Sequence, residues 1–382
     1  MNANSGIKLG KIFGIDITLD YSWFLIFGIV AFGLTFALFP QLVPGLNITI
    51  YAAMGVITSL LFFTSVLFHE LMHSIVAKRY GMNIEGIKLL VFGGVSQLTE
   101  EPHSPKVEFW MAIAGPLGSL FLGGFFIAVF LLGRWIGIEQ LLVVPAFWLG
   151  YINIVLGVFN LLPGFPLDGG RVLRSAVWYF TGNLKHATGI ATGFGKGLAY
   201  LMILAGIVGP FFNNISFLWF ILLGWYLLRA AESSYQQIIF QEAVEGIRVG
   251  QAMTQNPETV MPDINIDEMV KEHFMKHHWI AYPVVEDNRV KGMITIDNIK
   301  DIPRRSWKRK HVRDVMRPLS ADFVTTPDSW ISDILPKLNT KAGGRMLVVK
   351  GGRLLGILTK LDVTRAAIKR LRLEEEQRRS AA

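Results

Sequence analysis

The sequence His69-Glu70-Leu71-Met72-His73 lies near the end of an apolar run that covers residues 49–80. On a helix, positions four apart share a face, so His69 and His73 can bind one metal ion with Glu70 beside them. Two imidazoles are typical zinc ligands, and a carboxylate next to the metal can act as a general base. The alternative is that the histidines only hydrogen-bond to neighbouring helices. Because ionisable residues are costly inside a membrane, the pattern favours a metal site.

The composition divides the chain into two parts. Of its 382 residues, 52% are hydrophobic and 17% are charged, and the mean hydropathy is +0.42. Nearly all long apolar runs lie within residues 12–230, which predicts a membrane domain at 1–245 and a soluble domain at 246–382. The net charge of +8 indicates cytoplasmic Lys and Arg rather than nucleic-acid binding. With no cysteine, disulfides and thiol catalysis are excluded.

Six apolar segments are candidates to cross the lipid bilayer. They cover about residues 17–39, 49–80, 107–132, 141–162, 190–208 and 215–228. Lys and Arg concentrate before the first segment and after the second, fourth and sixth, which places both termini and the soluble domain in the cytoplasm. The chain is therefore expected in the cell membrane. Its polar start and long first apolar run indicate a retained span rather than a cleaved signal peptide.

Between the second and third spans, residues 86–98 are rich in β-forming residues around Gly93 and Gly94. This pattern predicts a small re-entrant β-hairpin. Its free edge could pair with an extended substrate segment, or the hairpin could serve packing alone.

The fourth span ends in residues 160–171, where two prolines and three glycines break the helix. Irregular backbone at membrane depth is tolerated where protein buries it or where it lines a watery cavity. Asp168 lies in this break and can reach the histidine pair, which would complete an open catalytic zinc site. It could instead cap the following helix. Asn160 could donate to a developing oxyanion, or it could be a structural amide between helices.

The motif at residues 69–73 and the stretch Asn160-Leu161-Leu162-Pro163-Gly164-Phe165-Pro166-Leu167-Asp168-Gly169 together resemble the site-2 protease family of intramembrane zinc metalloproteases. Ala114-Gly115-Pro116 and the Gly-Gly hairpin are further matching features, and the resemblance covers about residues 7–235. Ser119 departs from the pattern, since some relatives place Asn after the Gly-Pro pair, which puts a secondary polar contact in doubt.

The resemblance implies zinc held by His69, His73 and Asp168, with Glu70 as the general base. It also implies cleavage of transmembrane segments of membrane-anchored proteins, the reaction of regulated intramembrane proteolysis. The competing class is a non-enzymatic transporter or scaffold. Glu70 favours the enzyme, because hydrolysis needs a base whereas an ion path has no special need for a carboxylate between two ligands.

The soluble half contains an internal repeat. Residues 283–298 align without gaps to residues 347–362, which is an offset of 64. A fixed period with matched elements predicts a tandem module, with copies at about 247–306 and 311–370. The repeat resembles a CBS-domain pair, an α/β regulatory module that often binds adenosine nucleotides. The predicted architecture is therefore an α-helical multi-pass membrane domain followed by an α/β tandem CBS pair.

The CBS resemblance implies that Thr295 with Asn298, and Thr359 with Asp362, meet the ribose or phosphate of ATP or AMP. The helix N-termini at these positions favour anions. The same residues could only cap helices, in which case the pair could serve a homodimer. Residues 229–245 predict a helix that continues out of the sixth span and could connect the two domains.

Overall fold

A computed structural model of the chain describes residues 6–91, 93–98, 102–212, 215–340 and 342–381. The chain folds as two compact units, Met1–Ile238 and Ile239–Ala382. Within the described residues, six helical segments are long and apolar enough to cross a membrane, as the hydropathy pattern predicts. They are Tyr21–Leu42, Ile48–Arg79, Pro105–Trp135, Gln140–Asn160, Leu184–Phe212 and Ile215–Val244.

The helices of the first unit follow from long apolar runs bounded by polar caps. They are α1 (Tyr21–Gly33), α2 (Phe39–Leu42), α3 (Ile48–Arg79), α4 (Pro105–Trp135), α5 (Gln140–Asn160), α6 (Asp168–Thr181), α7 (Leu184–Val208) and α8 (Leu218–Val244). A π-helical turn at Leu34–Leu38 joins α1 to α2, and short 3-10 turns at Gly209–Phe212 and Ile215–Phe217 lie between α7 and α8. Asn47 caps α3 and Ser104 caps α4 through their side-chain oxygens.

The first unit also contains a four-stranded sheet in the order β1-β2-β3-β4. Its strands are β1 (Ile7–Ile12), β2 (Ile15–Leu19), β3 (Ile84–Leu90) and β4 (Gly93–Leu98). Strands β3 and β4 form the predicted hairpin, and β2 pairs with β3 in parallel. The N-terminal hairpin β1-β2 was not predicted. The predicted hairpin is thus half of a larger sheet, and β4 is an edge strand of it.

The first span begins later than the apolar run suggests. Residues 17–19 were predicted to be membrane helix, but they belong to β2, in which Ile15, Ile17 and Leu19 are buried. Asp20 separates strand from helix, because its side chain accepts a hydrogen bond from the backbone N–H of Ser22 at the start of α1. Hydropathy alone merges the two elements, since both are apolar.

Asp20 also fastens the sheet to the first span. The Lys88 ammonium on β3 donates to Asp20 Oδ2 at 2.8 Å, and this hydrogen bond, together with those from Ser22, lowers the pKa of Asp20 to about 2. The backbone N–H of Asp20 donates to the carbonyl of Leu89 at 2.9 Å. The sheet position is therefore tied to α1 through both side chain and backbone.

The second unit is built from the two repeats that the offset of 64 predicts. The first copy contains α9 (Val249–Ala252), β5 (Thr254–Gln255), α10 (Ile266–Glu268), a π-helical turn (Met269–Phe274), β6 (Ala281–Glu286), β7 (Arg289–Thr295), α11 (Ile296–Ile299) and a 3-10 turn (Arg304–Ser306). The second contains α12 (Val312–Val315), β8 (Arg317–Pro318), β9 (Val324–Thr325), α13 (Ile331–Asn339), β10 (Arg345–Lys350), β11 (Arg353–Thr359) and α14 (Lys360–Ala381). Strands β6 and β7 match β10 and β11, so the tandem repeat is confirmed.

The strands of the second unit form two sheets that exchange elements between the copies. One sheet has the order β5-β11-β10-β9 and the other β6-β7-β8. Strand β5 of the first copy pairs with β11 of the second, and β8 of the second pairs with β7 of the first. Helix α8 runs through the boundary between the two units, and it includes most of the helix predicted at residues 229–245.

Candidate active site

The three residues predicted to bind zinc lie together between α3 and α6. His69 and His73 lie on one face of α3, and Asp168 is the first residue of α6. His69 Nε2 lies 3.2 Å from His73 Nε2 and 3.1 Å from Asp168 Oδ2, and His73 Nε2 lies 3.2 Å from the same oxygen. In a tetrahedral zinc site with bonds near 2.0–2.1 Å, ligand atoms are about 3.3 Å apart. The three donor atoms therefore fit zinc and leave a fourth position open.

The second nitrogen of each histidine is held by α4. His73 Nδ1 donates to the carbonyl of Met111 at 2.7 Å, and His69 Nδ1 lies 2.9 Å from the hydroxyl of Ser119. Such contacts fix the tautomer and the ring orientation, so that Nε2 of each ring is left for the metal. Ser119 was noted as a departure from the family pattern, and it nevertheless supplies a polar contact to His69.

The irregular segment between α5 and α6 brings Asp168 to the histidines. The backbone N–H of Phe165 donates to the carbonyl of Ala191 on α7 at 3.1 Å, which attaches the break to a neighbouring helix. The N-cap of α6 is Leu167, and Asp168 is the first helical residue. The alternative that Asp168 is the cap of this helix is therefore wrong, because its carboxylate lies against the histidine rings.

Gly115 on α4 sits directly against both rings. A Cβ atom at this position would lie 2.1 Å from His73 Nε2 and 2.8 Å from His69 Nε2. The sequence places Gly115 among small residues of the third span, which permit close approach of helices. Its lack of a side chain lets α4 pass close to the donor atoms without blocking the space where a metal would bind.

The Glu70 carboxylate is held from the sheet side. The Ser96 hydroxyl on β4 donates to Glu70 Oε2 at 3.0 Å and lies 3.1 Å from the hydroxyl of Ser74. A Cβ atom on Gly94 would lie 2.3 Å from Glu70 Cγ, so the strand can pass over this side chain only with glycine there. The edge strand therefore lies directly above the candidate base.

The candidate zinc ligands and the Glu70 carboxylate line one cavity of about 380 Å³. Asn160, the last residue of α5, lines it too, and its Nδ2 donates to the carbonyl of Leu156 at 3.0 Å. The amide thus has a structural bond and one further N–H, so its predicted role toward an oxyanion stays a prediction. Arg171 and Tyr226 also line this cavity, and neither was predicted to be part of the site.

Comparison with known proteins agrees with this geometry. The model of peptidase family M50 matches residues 57–142 and 136–204. A zinc metalloprotease of Methanocaldococcus jannaschii, MJ0392, is 36% identical over 374 residues, which is 98% of this chain and 99% of that protein. The chain belongs to the site-2 protease family of zinc metalloproteases. It is therefore a multi-pass membrane protein and a metalloendopeptidase.

Solved structures resemble this site-2 protease in separate parts. The site-2 protease from Methanocaldococcus jannaschii covers 60% of this chain and 94% of its own, with 34% identity and a TM-score of 0.41. The structure of CBSX2 in complex with AMP covers 32% of this chain and 98% of its own, with 27% identity and a TM-score of 0.29. The CBS-domain model matches residues 249–304 and 312–369, which confirms the CBS pair.

The CBS pair of this protease contains a second cavity, of about 580 Å³. Thr359 and Asp362 line it, and the Thr359 hydroxyl donates to Asp362 Oδ2 at 2.6 Å. Thr295 and Asn298 are hydrogen-bonded in the same way at 2.7 Å, but they do not line this cavity. The two pairs of residues occupy equivalent positions in the repeat, but only the pair from the second copy lines this cavity.

Residues of both copies surround this second cavity. They include Thr254, Glu258, Trp279 and Tyr282 from the first copy and Lys360 and Arg365 from the second. Tyr282 is 1% exposed, and burial raises its pKa to about 12. The lining thus combines aromatic rings with cationic side chains and the carboxylates of Glu258 and Asp362.

Proposed function

We propose that this site-2 protease hydrolyses peptide bonds within transmembrane segments of membrane-anchored proteins, with its active site and both termini facing the cytoplasm. The observation that carries the proposal is the shared cavity of the three zinc donor atoms and the Glu70 carboxylate among membrane-spanning helices. A site at that location can act on a substrate helix in the same bilayer. The orientation rests on the distribution of Lys and Arg.

The residues divide the chemistry among them. His69, His73 and Asp168 would hold zinc, which when bound supplies Lewis-acid activation of water and of the scissile carbonyl. Glu70 accepts a proton from the attacking water and returns it to the amide nitrogen as the C–N bond breaks. The Ser96 hydroxyl holds the Glu70 carboxylate through Oε2 during this exchange.

The experiment reconstitutes the purified protein in lipid vesicles with single-span membrane proteins as candidate substrates. Mass spectrometry of the products then locates the cleaved bond, with the Glu70→Gln variant as the negative control. We expect cleavage inside the apolar segment. Products cut only outside that segment would reject the intramembrane assignment while leaving the zinc peptidase class intact.

Substrate presentation requires an unwound segment, because a helix hides its carbonyl groups in its own hydrogen bonds. We propose that the outer edge of β4 holds that segment as an added strand. Gly93, Gly94 and Ser96 of this edge strand line the active-site cavity. Edge strands carry unpaired backbone groups that readily accept another strand.

Replacing Val95 by proline removes one backbone N–H from β4, and we expect cleavage to slow several-fold while zinc remains bound. The Val95→Ala variant keeps the N–H and is the matched control. Turnover by a reconstituted substrate and zinc content are measured on the same preparations. Equal turnover in the proline and alanine variants would reject strand pairing at this position.

We further propose that the CBS pair binds ATP or AMP in its cavity and thereby modulates cleavage. A volume of about 580 Å³ suits a small molecule. The exposed Trp279 ring offers an apolar surface for a base, and Lys360 and Arg365 offer positive charge for phosphate. Nucleotide can alter the rate only if it binds two arrangements of the pair unequally.

The double substitution Thr359→Ala with Asp362→Ala is expected to abolish nucleotide binding and any nucleotide effect on cleavage. The matched control is Thr295→Ala with Asn298→Ala, which changes the equivalent pair outside the cavity. Calorimetry on the full-length protein in detergent measures binding. If wild-type protein binds neither ATP nor AMP, the nucleotide proposal is rejected. The remaining role of the CBS pair would be assembly, and the prediction is then a homodimer. Binding without a change in cleavage rate would reject modulation.

A further inference from the structure

A buried ion pair links α4 to α6, close to the metal site. Arg174 on α6 donates from Nε to Glu108 Oε1 on α4 at 2.6 Å, and its Nη2 also contacts that oxygen. Glu108 is 0% exposed and Arg174 is 3% exposed. Two charges are thus removed from solvent.

Stability alone does not explain a buried ion pair of this kind. Removing two charges from water is costly, and replacing a buried ion pair by apolar side chains of similar volume is often neutral or stabilising. The contacts of Arg174 and of Glu108 indicate what else this pair does.

One end of the pair holds the segment that presents Asp168. Arg174 lies on α6 six positions after Asp168, and its guanidinium carbon lies 5.1 Å from the centre of the Phe165 ring. Phe165 is 5% exposed and belongs to the irregular segment between α5 and α6, just before Asp168. Arg174 lies on α6, after Asp168 in the chain, and contacts Phe165 in the irregular segment before Asp168.

The other end lies on the turn that orients His73. Glu108 is three positions before Met111, whose carbonyl accepts the hydrogen bond from His73 Nδ1. The same stretch of α4 thus fixes the direction of His73 and anchors the helix that carries Asp168.

We propose that Glu108 and Arg174 form a positioning pair that sets the separation of Asp168 from the histidines and thereby the affinity for zinc. Neither residue belongs to the three donor groups. The proposal rests on His69, His73 and Asp168 being the zinc ligands. Outer contacts that orient metal ligands typically change metal affinity by about 10–100-fold.

The test replaces the pair by apolar residues of similar size, Glu108→Met with Arg174→Leu, in the full-length protein. Zinc affinity is measured by competition with a chelator, and the melting temperature is measured on the same samples. We expect the melting temperature to be unchanged or higher, and zinc binding to weaken about 10–100-fold. A pair that serves only the stability of the fold would instead lower the melting temperature when replaced and leave zinc affinity at the wild-type value.

The matched control is Lys196→Gln with Glu232→Gln. This ion pair joins α7 to α8 at 3.3 Å, and both side chains are more than a third exposed. Because neither residue lines the active-site cavity, zinc affinity should remain at the wild-type value.

A second variant serves if the double substitution fails to fold. Arg174→Lys keeps a positive charge but loses the planar guanidinium that binds Glu108 and covers Phe165, so zinc binding should weaken several-fold. Wild-type zinc affinity in a folded double variant, or in Arg174→Lys, would overturn the positioning role. Wild-type protein that binds no zinc would instead overturn the ligand assignment, and the positioning role with it.

Discussion

Replacing Glu70 by glutamine is expected to leave zinc bound and to reduce cleavage by about 10²–10⁴-fold, the range of general acid–base catalysis. Glu70 is not among the three residues that could hold a metal ion, so its replacement is not expected to remove a ligand. Glutamine has nearly the same shape and can still accept a hydrogen bond from Ser96. It cannot take a proton from the attacking water.

The measurement combines zinc analysis of the purified variant with turnover of a membrane-anchored substrate in lipid vesicles. Glu85→Gln is the matched control, because Glu85 is exposed on β3 and does not line the active-site cavity. Wild-type turnover in Glu70→Gln would remove the basis for its role as the base. Loss of zinc together with activity would instead make Glu70 a contributor to the metal site.

The motif at residues 69–73 and the irregular segment within residues 160–171 were sufficient to predict that His69, His73 and Asp168 lie close together. Helical spacing brings His69 and His73 together, and that spacing is fixed by the backbone alone. The prolines and glycines before Asp168 indicated an irregular segment, and the structure has one there. Both features depend on residues that are close together in the sequence, so they can be recognised without knowledge of the tertiary structure.

The residues that orient the ligands could not be predicted in the same way. The Met111 contact to His73 is made by a backbone carbonyl, which no residue type identifies. Ser96 reaches Glu70 only because β4 crosses α3, and the position of that strand depends on pairing with β3. These contacts depend on tertiary packing, so local periodicity gives no signal for them.

The first span shows a different limit. A buried strand at Ile15–Leu19 and the start of a membrane helix are both apolar, and hydropathy counts them as one run. The change of period from two to about 3.6 is the signal that separates them. In the CBS pair the repeat predicted equivalent residues, but the structure places only Thr359 and Asp362 on the cavity, because the two copies contribute different surfaces to it.

Gly115→Ala is expected to abolish zinc binding, and cleavage with it, by adding a single methyl group. The added Cβ would lie 2.1 Å from His73 Nε2 and 2.5 Å from His73 Cε1, far inside van der Waals contact. His73 cannot turn away without losing its bond to the Met111 carbonyl, and α4 cannot move away without displacing Ser119 from His69. Relief of the clash therefore removes the contacts that orient at least one of the two histidine rings toward the metal position.

The matched control is Gly124→Ala on the same helix, where an added Cβ would meet no atom within 4 Å. Both substitutions exchange glycine for alanine in the middle of α4, which raises helix propensity equally. Zinc content and melting temperature are measured for both proteins. We expect Gly124→Ala to keep zinc and activity, and Gly115→Ala to fold with little or no zinc. Full zinc occupancy in Gly115→Ala would mean that the metal does not bind between the histidine rings and Asp168, because a methyl group at this position cannot coexist with that geometry.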